Sequence, residues 1–133
     1  MNNIKSLSEL VLIGKDIKQS GEFYKDIVGL SVEKSSVDWV WFYIGSPESK
    51  QRLALHRGKL LFEEKSPLPE GKRFGQIHFA FEVEKSNLDK AIEKVRNNGI
   101  EVFGPQRFDW MNAVSYYFYD LDGNLIEYWS PDN

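Results

Sequence analysis

Ile77-His78-Phe79-Ala80-Phe81-Glu82-Val83, a helix-patterned stretch from Leu88 to Asn98, then Gly99-Ile100-Glu101-Val102: this order decides the fold, because the chain has already run through it once. The first passage is Leu10-Val11-Leu12-Ile13-Gly14-Lys15-Asp16, a polar helix through Glu22-Phe23-Tyr24, then Val28-Gly29-Leu30-Ser31-Val32. Both passages read strand, helix, glycine stop, strand. A repeat of this kind outranks any single motif, since it sets the architecture in which motifs meet. Strand-like runs follow each copy in the same order, so the chain reads β-α-β-β-β twice. The expected organisation is a single domain over residues 1–133. Module one covers about 7–57, a linker rich in charge, proline and glycine about 58–75, and module two about 76–131.

Residues 8–14 form a short apolar run suited to a buried strand. Asp16 is placed to cap a helix from about Ile17 to Val28, whose Ile17, Phe23, Tyr24, Ile27 and Val28 make one apolar face, and Gly29 ends it. Strands are expected at 30–34, 39–45 and 52–57, with a turn at 46–50. Along 39–45, Trp39, Trp41 and Tyr43 alternate with Val40, Phe42 and Ile44, so this strand is expected to be covered on both faces. In module two, strands are expected at 76–84, 100–103, 114–119 and 124–129. Ser86 is the expected helix cap, Leu88, Ala91, Ile92 and Val95 the buried stripe, and Asn98-Gly99 the stop. Asp120-Leu121-Asp122-Gly123-Asn124 is the turn between the last two strands.

The bulk composition excludes several classes. With 133 residues, 41% hydrophobic and 28% charged, the chain can bury a core of its own. The absence of cysteine rules out disulfides and thiolate metal sites and leaves no argument for secretion. No apolar run approaches a membrane span and the N-terminus has no signal-peptide core, so the expected setting is the cytoplasm, with no membrane partner. A net charge of −3, with cations scattered among acids, provides no basic stripe for nucleic acid. The one skew is aromatic: four Trp, six Tyr and nine Phe, enough to build a core and also to wall a small-molecule pocket.

The repeat also places polar groups at matching points. Glu9 stands just ahead of the first core strand, and His78 at the same point of the second. His56 and Glu127 lie nearly the same distance past Gly29 and Gly99. Two pseudo-equivalent halves are expected to bring Glu9, His56, His78 and Glu127 together. Each has an ordinary alternative: a solvated glutamate, a core histidine bonded to a carbonyl at 78, a surface histidine beside Arg57 at 56. Trp39, Trp41 and Tyr43 suit core or pocket equally. Trp110, within Arg107-Phe108-Asp109-Trp110-Met111-Asn112, lies in a connecting segment that strand periodicity does not explain. Arg52 and Tyr117 are candidates for orienting an anionic or phenolic substrate, with surface roles equally open. No phosphate loop, Ser-His-Asp order or nucleophile elbow is present.

Asp16-Ile17-Lys18-Gln19-Ser20-Gly21-Glu22-Phe23-Tyr24 followed by Gly29-Leu30, the His78-Phe79-Ala80-Phe81 strand, and Asp120-Leu121-Asp122-Gly123-Asn124-Leu125-Ile126-Glu127 closely resemble the glyoxalase / bleomycin-resistance / extradiol-dioxygenase (vicinal oxygen chelate) superfamily, from about Leu7 to Pro131. The resemblance implies an α+β fold in which two βαβββ modules form a curved eight-stranded mixed sheet around a cavity, in a homodimer. It also implies that His78 and Glu127 bind one divalent metal ion (Zn, Ni, Mn or Fe), and that the first-strand ligand, usually histidine, falls on Glu9. The fourth ligand falls near Ala54 or His56. The resemblance places the segment of Trp110 near the cavity mouth; Trp110, Trp39, Trp41, Tyr117 and Arg52 are the candidate substrate contacts, and Glu127 or Glu9, when free of the metal, the candidate base. The implied chemistry is Lewis-acid catalysis of lyase or isomerase type on a small oxygen-chelating substrate, with ring-cleaving dioxygenase the less favoured enzyme. The alternative is a metal-free module that binds a drug or small molecule, which the change at position 9 and the aromatic surplus favour.

Overall fold

Eight strands and two α-helices occur in the expected order among the described residues of the computed structural model, which are 6–57 and 76–132. The linker expected at about 58–75 lies outside them. The chain divides into two compact units, Met1–Gly75 and Gln76–Asn133, and each carries one βαβββ module.

Module one runs β1 (Glu9–Gly14), α1 (Ile17–Glu22), β2 (Ser31–Ser35), β3 (Trp39–Tyr43) and β4 (Arg52–Arg57), with ladder order β1-β4-β3-β2. β1 and β4 are parallel, and the other pairs are antiparallel. Asp16 caps α1 as expected, its carboxylate accepting the Gln19 N–H at 3.0 Å. The helix expected to run to Val28 changes pitch at Phe23 and continues to Val28 as a π-helix. The wider turn closes where the Gly29 and Leu30 N–H groups both reach the Tyr24 carbonyl, at 3.0 and 2.9 Å. Gly29 can do this because its φ of 92° is open to glycine at little cost.

Pairing sorts the side chains of module one by face, since residues opposite one another on a ladder share a side. Leu12, Val40, Phe42, Leu53 and Leu55 are buried on one face, and Ile17, Phe23 and Tyr24 are buried on the helical segment. The Tyr24 and Phe42 rings pack 6.1 Å apart. The opposite face carries Glu9, Val11, Trp39, Trp41, Tyr43, Arg52, Ala54 and His56. Here β3 corrects the sequence reading. Val40 and Phe42 are buried, but Trp39, Trp41 and Tyr43 remain half-exposed, so one face is core and the other lines open space.

Module two repeats the plan with β5 (His78–Glu82), α2 (Lys85–Asn97), β6 (Phe103–Phe108), β7 (Ala113–Tyr119) and β8 (Leu125–Pro131), in the order β5-β8-β7-β6. Leu88, Ile92 and Val95 of α2 are buried along with Phe118, Ile126 and Tyr128. The Phe118 and Tyr128 rings meet edge to face at 5.0 Å. On the other face stand His78, Ala80, Ser115, Tyr117, Glu127 and Trp129.

Two expectations in module two are corrected. Ser86 does not cap α2: it lies in the first turn, and the cap position is Glu84, with no side-chain bond. The Val83 N–H still donates to the Trp129 carbonyl at 2.9 Å, and the helix starts as soon as the ladder releases the chain. The strand expected at 100–103 forms instead at Phe103–Phe108. Phe103 is opposite Tyr117, so residues ahead of Glu101 would need partners beyond Tyr119, where β7 ends.

Candidate functional site

Glu127 is a buried polar side chain of module two held at both carboxylate oxygens. It sits mid-strand on β8, opposite Ala80 of β5 and Tyr117 of β7, and only 9% of its surface is exposed. A buried carboxylate without partners is costly. Here Oε1 lies 3.0 Å from Nε2 of His78, and Oε2 accepts the Ser115 hydroxyl at 2.6 Å. Ser115 is fully buried, so its hydroxyl serves to hold Glu127 rather than to meet a ligand. His78 opens β5 with about half its side chain in solvent. The His78–Glu127 pair is therefore shielded on the serine side and open on the histidine side. Tyr117 completes the group, its ring 6.1 Å from that of His78. Partial burial, and then the nearby negative charge of Glu127, push its phenol above the ordinary tyrosine range.

In module one the exposed face forms a cavity of about 170 Å³ lined by Glu9, Val11, Lys34, Trp39, Trp41, Ala54 and His56. The two indoles meet at 68° with centroids 6.4 Å apart. Lys34 reaches them because of a bulge. Val32 is opposite Phe42 and Lys34 opposite Trp41, which leaves Glu33 as an extra residue. A one-residue slip turns side chains to the other face. Without it, Lys34 would stand opposite Val40 on the helix side; with it, the ammonium lies 5.2 Å from the Trp41 ring and 6.0 Å from that of Trp39.

The four polar candidates thus fall two to each module. His78 and Glu127 touch, and Glu9 and His56 line one cavity. Neither module by itself gathers three potential ligands among the described residues. Glu9 is exposed and His56 half-buried. The ladders also correct the matching inferred from spacing. Glu9 is opposite Arg52, which puts Ala54 two residues further along β4; His78 is opposite Leu125, which puts Glu127 two further along β8. The counterpart of Glu127 is therefore Ala54, and that of His56 is Trp129. Counting along the sequence mixes loop residues with ladder residues, whereas the sheet counts only the ladder. In the same register Trp41 matches Tyr117, and Trp39 matches Ser115.

The remaining candidates separate. Arg52 binds Glu33 at 2.8 Å, donates to the Gln51 carbonyl at 3.0 Å and also to that of Ser49, and stacks 4.4 Å from the Tyr43 ring. It ties the preceding loop to β4 and is not among the residues that wall the cavity. Trp110 stands on a short 3₁₀ turn, Asp109–Met111, and is 80% exposed. Arg107 flanks that turn, bonding Asp109 at 3.1 Å and Asp132 through two nitrogens at 2.9 and 2.7 Å. Sequence reasoning passed over Ser115 and Lys34. A polar residue two positions before Tyr117 on a strand was a readable signal for Ser115. Nothing in the sequence marks the bulge that turns Lys34.

The model of the Glyoxalase/Bleomycin resistance protein/Dioxygenase superfamily matches residues 6–128. The chain belongs to that superfamily. A metallothiol transferase, FosB, of Staphylococcus saprophyticus is 26% identical over 125 residues, covering 93% of this chain and 76% of its own. The fosfomycin resistance protein FosX of Listeria monocytogenes is 26% identical over 124 residues, covering 93% and 88%. Among solved structures, a lactoylglutathione lyase from Agrobacterium tumefaciens superposes with a TM-score of 0.77 at 25% identity, over 97% of this chain and 96% of that one. Among the described residues, no helix is long and apolar enough to cross a membrane.

Proposed function

We propose that this superfamily member is a metal-dependent enzyme acting on a small substrate through neighbouring oxygens, with lyase or isomerase chemistry, and that His78 and Glu127 are metal donors. The 3.0 Å separation of His78 Nε2 and Glu127 Oε1 carries the reading. Two donors that share a cation at the usual bond lengths of about 2.0–2.2 Å stand about that far apart. Ser115 holds the second carboxylate oxygen, the kind of outer support that orients a metal-binding carboxylate. The relatives support the same reading: one is named for a metal and a thiol, one for resistance to fosfomycin, and one for lyase action on lactoylglutathione. Fosfomycin with a thiol, and lactoylglutathione, are therefore the first substrates to assay.

A divalent cation in this place supplies Lewis-acid polarisation of the substrate oxygens. Glu127 is the assigned base. Its Oε1, when not engaged as a metal donor, would take the proton from the substrate, while the Ser115 bond to Oε2 keeps the carboxylate in one orientation. Tyr117 stays protonated through neutral pH and donates a hydrogen bond to a substrate oxygen. The homodimer and the cytoplasmic setting belong to the same proposal, and light scattering on the purified protein checks the dimer.

Elemental analysis of protein purified without chelator tests the proposal. About one divalent ion per chain is expected, and its loss in the His78→Ala, Glu127→Ala double variant. Metal content unchanged in that variant overturns the assignment. Glu9→Gln and His56→Ala, measured alongside, show which module-one side chains add to the donor set. The aromatic cavity of module one favours the second reading, a metal-free binding module. Aromatic ligands that bind equally with and without metal, in a protein with no detectable activity, decide for it.

A further inference from the structure

We infer that the module-one cavity is a binding site for a planar aromatic anion, with Trp39 and Trp41 as the stacking wall and Lys34 as the partner of its acid group. The inference deepens the second reading above, a binding module, and rests on it for the ligand-binding role of Trp39 and Trp41; it does not draw on the His78–Glu127 pair. Three observations converge. First, both indoles are half-exposed on a sheet whose opposite face is core, so their open surface is not needed for packing. Second, the cavity has apolar walls at Val11, Ala54 and the indoles, and at about 170 Å³ it is smaller than the roughly 300–1,000 Å³ of drug-sized sites, which suits one or two rings. Third, the Glu33 bulge turns Lys34 onto this face, where its ammonium lies over the two rings and, among the described residues, forms no ion pair.

The sign of the ligand's charge follows from the third observation. Indole faces attract cations, and here that place is filled by Lys34 itself, 5.2 and 6.0 Å from the centroids. An incoming cation would have to displace the lysine and meet its repulsion. An anion instead gains the ammonium while its ring stacks on the indoles. Glu9 lines the same cavity, but from β1, at the opposite edge of the ladder from β2 and three strand spacings (roughly 14 Å of backbone) away, so the acid group is placed at the Lys34 end.

Calorimetric titration of the purified protein, with EDTA present throughout, compares three probes: 2-naphthoate, its neutral amide, and cyclohexanecarboxylate. The chelator keeps metal ligation out of the result, so failure here leaves the metal proposal untouched. Naphthoate is expected to bind more tightly than the other two. Lys34→Gln, a change at an exposed position, is expected to weaken naphthoate roughly three- to tenfold and leave the amide unchanged. Naphthoate and its amide binding alike, or a naphthoate affinity unmoved by Lys34→Gln, overturns the inference. So does the absence of binding by any probe. Tighter binding by cyclohexanecarboxylate than by naphthoate removes the stacking role of the indoles.

Discussion

The Ser115 hydroxyl sits 2.6 Å from Oε2 of Glu127, on neighbouring strands and on the sheet face that carries His78. The bond is short because the acceptor is charged, and it is shielded because Ser115 is fully buried. It makes one oxygen of Glu127 structural and leaves the other to meet His78.

Ser115→Ala should therefore destabilise the protein without opening a cavity of any size. A buried hydrogen bond to a charged group is worth about 1.5–3 kcal/mol, which for a chain of this length lowers the melting temperature by several degrees. Thermal unfolding followed by circular dichroism checks it. A melting temperature equal to that of the wild type would mean that Glu127 finds another donor.

Glu127→Gln keeps the shape and an oxygen donor but removes the base. With an active substrate in hand, the rate should fall roughly 10²–10⁴-fold, the usual worth of general base catalysis, with much of the metal retained. Parallel measurement of kcat and metal content separates the two roles. If Glu127→Gln stays active while Glu9→Gln is dead, the base is Glu9 and the assignment reverses.

Trp110 offers an exposed indole on a turn fastened by Arg107, and we expect it to contact the ligand. Trp110→Phe should lose most of the fluorescence change that a bound small aromatic compound produces. A signal that persists at full size in this variant places Trp110 away from the ligand.

Alkaline pH should weaken the fold through Tyr128, with a smaller part from Tyr117. Burial pushes the Tyr128 phenol far above its ordinary value, so the unfolded chain ionises first. The stabilisation is complete below the unfolded value of about 10 and is lost as pH rises through and beyond it. Urea melts between pH 8 and 11 should show stability falling on the alkaline side, and Tyr128→Phe should flatten that fall. A wild-type and a variant curve of equal slope would remove Tyr128 as the cause.

The sequence by itself determined the double βαβββ order, because burial on one sheet face leaves a period of two and a buried helix stripe a period near four. Asp16 and Gly29 were legible as helix boundaries for local reasons: a carboxylate within reach of the Gln19 N–H, and a backbone angle that glycine tolerates. His78 and Glu127 were legible as partners because they fall at strand positions the repeat singles out, and the two side chains do touch. Only the tertiary structure decided which residues share a rung. It paired Ala54, not His56, with the position of Glu127, and it turned Lys34 onto the indoles through a single extra residue at Glu33. It also recruited Ser115 to Glu127. The physical reason is common to all three: ladder register is set by hydrogen bonds between strands distant in sequence, and a slip of one residue moves a side chain to the opposite face of the sheet.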